Sequence, residues 1–309
     1  MICDCIWMDG ELVPQDQAMV HFLSPTLHYG TGIFEGIRCY NTPKGPAVFR
    51  LREHLQRFLD SAKIAGIREL PYTLEDLQKA THQTIRVNDL TECYIRPLIY
   101  MLGPLNLNLD AWRPAVGIAV WEWGPYLGEE AREKGVRMEV SSFTRHHPNV
   151  MMTKAKISGN YVNSTLAKTV AVRAGFDEAI MLDPDGYVAE CTGENLFLVR
   201  NDIIYTPPRT TILEGITRDA VITLAQDMGL TVVEQPISRD QLYIADEVFV
   251  SGTATEVVHV REIDFRLIGT GDKGPVAAAL QDAFLKAVRG EGARSHEWLE
   301  YVDETFFAV

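Results

Sequence analysis

Apolar residues in this chain come in short runs bounded by turn signals, and that spacing limits the fold more than any other feature. The longest uncharged apolar stretches, such as residues 115–121, fall far short of the roughly 20 residues that cross a bilayer. Runs this short, when rich in β-branched and aromatic residues, read as strands, and residues 92–102 and 115–123 qualify. Asp9-Gly10 and Asp185-Gly186 signal hairpins. Residues 33–40 and 47–50 flank a turn built on Asn41-Thr42-Pro43-Lys44-Gly45-Pro46. Helical spacing appears at residues 51–65, where Leu51, Leu55, Phe58 and Ala62 share a face. Thr73, with Asp76 three residues on, opens a second helix that runs to about Asn88. Farther along, strands are expected at 136–142, 178–182 and 247–251, and helices at 161–174, 217–228, 275–288 and 295–302. Short strands interleaved with a few helices predict an α+β fold with mixed sheets rather than a regular doubly wound sheet.

At 309 residues the chain has material for about two domains. A charged stretch at 127–134 interrupts the strand pattern and marks the expected linker, with a first domain at 1–126 and a second at 135–309. The net charge of −13 disfavours a general nucleic-acid binder, which needs clustered cations to neutralise phosphates. Five cysteines, an odd number with no Cys-x-x-Cys pair, predict neither a disulfide framework nor a zinc site, and a reducing cytoplasm is the default setting. The N-terminus, Met1-Ile2-Cys3-Asp4-Cys5, lacks the basic and apolar regions of a targeting leader. The eight histidines form no metal-binding pair, so no metal is expected.

Gly269-Thr270-Gly271-Asp272-Lys273-Gly274 matches the dinucleotide-binding fingerprint, which would suit an NAD-dependent oxidoreductase. No second strand follows its helix to complete a βαβ unit, so a tight turn feeding a helix is the simpler reading. Lysine is scarce, nine residues against 20 arginines, yet Lys154 and Lys156 stand together before a Gly159-Asn160 turn signal. They are either solvated lysines or a covalent handle, and the latter needs a pocket that lowers the amine's pKa. Glu190 and Glu194, separated by small residues, lead into an apolar strand; a buried carboxylate there needs a cation. Gly215-Ile216-Thr217 opens a helix whose first amides suit either phosphate or ordinary capping. Ser251-Gly252-Thr253-Ala254-Thr255 ends a strand in small hydroxyl residues, again a turn or an anion site.

Together these segments, in order with Tyr29-Gly30, Phe34-Glu35-Gly36-Ile37-Arg38-Cys39-Tyr40, Arg52-Glu53-His54-Leu55-Gln56-Arg57 and Tyr94-Ile95-Arg96-Pro97-Leu98, resemble the branched-chain amino acid aminotransferases. These are fold type IV pyridoxal-phosphate enzymes, sharing a fold with D-amino acid aminotransferase. The resemblance covers about residues 5–290. It implies a two-domain α+β fold with the active site at the domain interface, pyridoxal 5′-phosphate as cofactor, and a homodimer or higher homo-oligomer.

The resemblance also implies roles. Lys156 matches the lysine that carries the cofactor, and Lys154 does not. Glu190 matches the partner of the cofactor's ring nitrogen, and Tyr161 the donor to its phenolic oxygen. Arg57, Ile216, Thr217 and Thr253 match the phosphate cup. Tyr94 and the Thr253-Ala254 backbone resemble the α-carboxylate site, and Arg96 matches the receiver of glutamate's distal carboxylate. Tyr29, Phe34, Trp123 and Tyr126 resemble the side-chain walls. The implied reaction is transfer between Leu, Ile or Val and 2-oxoglutarate. A D-amino acid or (R)-amine transaminase of the same fold type remains the nearest alternative.

Overall fold

The computed structural model describes residues 3–124 and 126–302; Met1 and Ile2, part of the N-terminus read above as leaderless, lie outside them. The chain forms two packed units, Met1–Trp123 with Ala155–Gly159 and Ala287–Val309, and Gly124–Lys154 with Asn160–Lys286.

The first unit is built on an eight-stranded antiparallel sheet. From one edge its strands run Leu299–Tyr301, Gly45–Phe49, Ile37–Thr42, Cys93–Leu102, Arg113–Trp121, Cys5–Met8 and Glu11–Pro14, with Ile33–Phe34 also paired to Cys93–Leu102. Alternation along the strands sends Cys93, Ile95, Ile99, Val116, Ile118 and Val120 into one core. The helices Leu51–Ile64 and Leu74–Val87 cover it with Leu51, Leu55, Phe58, Leu77 and Ile85. The capping box read from Thr73 and Asp76 forms, with both reciprocal bonds made. The Asp9-Gly10 hairpin also forms, both residues taking the positive φ that a tight two-residue turn demands.

The second unit carries a nine-stranded mixed sheet, in the order Val188–Cys191, Glu178–Leu182, Val136–Val140, Glu256–Ile263, Glu247–Gly252, Asn195–Arg200, Ile203–Thr206 and Thr231–Glu234, with Arg266–Leu267 added on Glu256–Ile263. Three of its pairings are parallel, which fits the mixed α+β reading.

Three local expectations change. The charged stretch at 127–134 is not a linker between the units: the first unit's N-terminal segment ends at Trp123, its last segment, Ala287–Val309, comes from the expected second domain, and Glu129–Lys134 is a short helix of the second unit. Ala155–Gly159, which the sequence places in the second domain, packs in the first. Ala155 and Ile157 are buried in that core, and the amides of Phe34, Ser158 and Gly159 bond to Lys156, Gly32 and Gly30 carbonyls at 3.1, 2.8 and 2.8 Å. Residues 295–302 are a short helix, Ser295–Trp298, followed by a strand that pairs with Gly45–Phe49. An open sheet edge and burial of Trp298 and Leu299 override the helical pattern there.

Candidate active site

In the first unit five of the expected site residues gather around the Phe34 and Tyr94 rings. Phe34 is on the short Ile33–Phe34 strand. Tyr94 and Arg96, two apart on Cys93–Leu102, project to the same face of the sheet. The Arg96 guanidinium stands 4.7 Å from the Phe34 ring centroid and 5.3 Å from that of Tyr94. Its Nη2 donates to the Tyr94 hydroxyl at 3.1 Å, while its buried Nε has no partner and no carboxylate pairs with it among the described residues. Trp123 meets Tyr94 edge to face at 4.6 Å. Lys156 Nζ lies 5.0 Å from the Phe34 ring centroid. Its amide donates to Ser61 Oγ at 3.0 Å and its carbonyl accepts from the Phe34 amide at 3.1 Å, so the lysine backbone is fixed on both sides. Tyr29, at the C-terminal end of the Pro25–Tyr29 helix, stacks on Trp112 with ring centroids 6.0 Å apart.

Gly36 is a glycine because of this cluster: a Cβ there would overlap the Tyr94 hydroxyl. Arg57 projects from the Leu51–Ile64 helix, and its Nε and Nη2 bond the wholly buried Glu35 carboxylate at 2.6 and 2.9 Å.

The second unit holds the other candidates. Glu190, on Val188–Cys191, is 5% exposed. Arg145 Nε donates to its Oε1 at 2.8 Å, and Asn195 Nδ2 and the Leu213 amide reach its Oε2 at 3.3 and 3.2 Å. Arg145 is thus the cation that a buried carboxylate requires. Asn195 also donates to the Leu213 carbonyl at 3.1 Å, which ties Glu190 to the loop entering the Ile216–Asp227 helix. Gly215 caps that helix, and a Cβ there would collide with Asn195 Oδ1. Ile216 and Thr217 therefore open the helix as expected, both buried.

Tyr161 is the first residue of Tyr161–Arg173. Thr253 and Ala254 form the turn between Glu247–Gly252 and Glu256–Ile263. The Ala254 carbonyl accepts from the Tyr126 amide at 3.4 Å, and Lys168 Nζ stands 5.1 Å from the Tyr126 ring centroid. The turn is anchored from beneath by Thr255 Oγ1, which donates to the buried Glu194 at 2.8 Å.

The two lysines separate cleanly. Lys154 Nζ donates to the Arg209 and Ile212 carbonyls and pairs with Glu214 at 3.0 Å, so it fastens the loop before the Ile216–Asp227 helix. The glycine-rich match at 269–274 is a turn. Glu247 accepts from the Val276 and Ala277 amides at 3.0 and 2.8 Å, so a protein carboxylate already fills the anion position at the start of Pro275–Val288.

Sequence reasoning missed Arg145, Asn195, Glu35 and His54. The demand for a cation beside Glu190 was visible, but its supplier lies 45 residues away. Among the described residues no group of His, Cys, Asp and Glu could hold a metal.

Comparison with known proteins shows the family to which the chain belongs. Residues 32–263 match the family described as amino-transferase class IV. A branched-chain-amino-acid aminotransferase of Pseudomonas aeruginosa is 48% identical over 294 residues, 95% of each chain. The T.th. branched-chain amino acid aminotransferase, solved with pyridoxamine 5′-phosphate, superposes with a TM-score of 0.94 at 51% identity, covering 98% of this chain and 100% of that one. Its complex with N-(5′-phosphopyridoxyl)-L-glutamate gives 0.92 at 49% identity, with coverage of 98% and 100%. The chain belongs to the class IV aminotransferase family and, within it, to the group of the branched-chain-amino-acid aminotransferases.

Proposed function

We propose that this enzyme uses pyridoxal 5′-phosphate to move an amino group between Leu, Ile or Val and 2-oxoglutarate. Arg96 carries the reading. Its guanidinium lies against the Phe34 and Tyr94 rings with a buried Nε that has no partner, so a cationic edge stands among apolar rings. An aliphatic side chain fits the rings, and a glutamate side chain adds a carboxylate that an arginine binds well. Discrimination per methylene is worth only ~1–3 kcal/mol, so all three branched-chain residues should be accepted.

The residues of the chain fit the cofactor. Arg57, the Ile216 and Thr217 amides and Thr253 are donors that would bind its phosphate, Glu190 would be the anionic partner of its ring nitrogen, and Tyr161 would donate to its phenolic oxygen. When bound, the cofactor supplies an electron sink for negative charge at the substrate Cα. Lys156 would hold the cofactor and, once released from it as a free amine, would take and return the proton at Cα. Tyr94 and the Thr253-Ala254 backbone receive the α-carboxylate. Tyr29, Phe34, Trp123 and Tyr126 would supply aromatic walls for the side chain.

The reading includes a cytoplasmic setting, supported by five unpaired cysteines, and a homodimer or larger assembly, supported by the exposed side chains of Met19, Phe22, Leu27 and Leu107. Initial rates with leucine and 2-oxoglutarate varied together test the function. A shared site used in alternation gives parallel double-reciprocal lines, and intersecting lines would overturn the proposal.

A further inference from the structure

Glu35 is wholly buried, away from solvent. Four donors converge on it, one of them the Gly36 amide, 3.2 Å from Oε2. Arg57 Nε reaches Oε1 at 2.6 Å, Arg57 Nη2 reaches Oε2 at 2.9 Å, and His54 Nδ1 lies 2.8 Å from the same Oε2. His54 and Arg57 are three residues apart on the Leu51–Ile64 helix and so face Glu35 together. Burial keeps His54 largely neutral, with its pKa lowered by desolvation against the pull of Glu35. In that state Nδ1–H donates to Glu35 and the site holds one anion and one cation. The carboxylate grips the Nε/Nη2 edge of a planar fork, which fixes the plane and direction of the guanidinium and turns its Nη1 side away from Glu35.

We propose that Glu35, held by His54, is the positioning residue for the arginine that binds the cofactor's phosphate. This rests on the reading of Arg57 given above. An unconstrained arginine spends part of its phosphate affinity on rotamer entropy, whereas one locked by a buried bidentate partner is already in place. Glu35 therefore raises phosphate affinity without touching the phosphate.

The test compares pyridoxal 5′-phosphate with pyridoxal, which lacks only the phosphate, by titrating the full chain after removal of its cofactor. Both probes meet Lys156 alike, so the ratio of the two dissociation constants isolates the phosphate contribution. Arg57→Met should reduce the wild-type ratio by about 10- to 100-fold. Glu35→Gln should reduce it by about tenfold, and the double variant no further than Arg57→Met alone. A ratio kept by Glu35→Gln but lost by Arg57→Met overturns the positioning role and leaves the phosphate arginine standing. A ratio kept by Arg57→Met overturns the reading of Arg57 itself. A purely structural Glu35 would weaken both probes equally and leave the ratio unchanged. Should Glu35→Gln not fold, Glu35→Asp carries the same test, because it keeps the charge but is too short to grip both nitrogens.

Discussion

Arg145 and Glu190 form a buried ion pair, with Arg145 Nε and Nη2 each 2.8 Å from Glu190 Oε1 and both side chains under 10% exposed. Removing one partner of such a pair strands a charge in the interior, at about 3–5 kcal/mol. Arg145→Met should therefore destabilise the chain strongly, and Glu190→Gln added to it should restore much of the loss. Urea unfolding of the single and double variants measures this, and strict additivity would contradict the pairing.

Lys156 and Lys154 differ in what their ammonium groups meet. Lys156→Ala should lower turnover by about 10²–10⁴-fold or more and abolish borohydride-dependent labelling by the cofactor. Lys154→Ala removes bonds to the Arg209 and Ile212 carbonyls and a half-exposed pair with Glu214. It should cost about 1 kcal/mol of stability and leave labelling intact. Peptide mapping after reduction decides between them, and label on Lys154 would reverse the assignment.

Arg96→Leu keeps volume against Phe34 and Tyr94 but removes the cation. The KM for 2-oxoglutarate should rise by about tenfold or more, while that for 4-methyl-2-oxopentanoate changes little. Equal rises for both acceptors would remove Arg96 from distal carboxylate recognition.

Glu194 predicts a pH effect on stability. Burial, and then the charge of Glu178, pushes its carboxyl from 4.5 up to about 8. The folded chain thus keeps a proton that the unfolded chain has released. The stability contributed by this group is full below about pH 4.5 and is lost as pH rises through about 8. Glu194→Gln, which mimics the protonated form, should gain on wild type between about pH 5 and about pH 8.5 in urea midpoints. A constant difference at both pH values would contradict the raised pKa.

Much of this architecture was legible in the chain because its signals are local. The Asp9-Gly10 hairpin, the Thr73–Asp76 capping box and the apolar face of Leu51, Leu55 and Phe58 each depend on residues within a turn or two of one another. The expectation for Lys156 came from the family resemblance, in the register set by Gly159, Asn160 and Tyr161. What escaped depends on partners far apart. Arg145 answers Glu190 across 45 positions, and Arg57 answers Glu35 across 22. The Leu299–Tyr301 strand exists because Gly45–Phe49 offers it an edge some 250 residues earlier in the chain, which no helical period can reveal. The placement of Ala155–Gly159 with the first unit is of the same kind, set by amide bonds to residues 30–34.

The most direct test of the central claim is a donor panel on the full chain supplied with pyridoxal 5′-phosphate: L-leucine, D-alanine and (R)-1-phenylethylamine, each with 2-oxoglutarate as acceptor. L-leucine should be the efficient donor, forming L-glutamate in step with its own oxo acid. Efficient turnover of D-alanine or the (R)-amine with none of L-leucine would contradict the account.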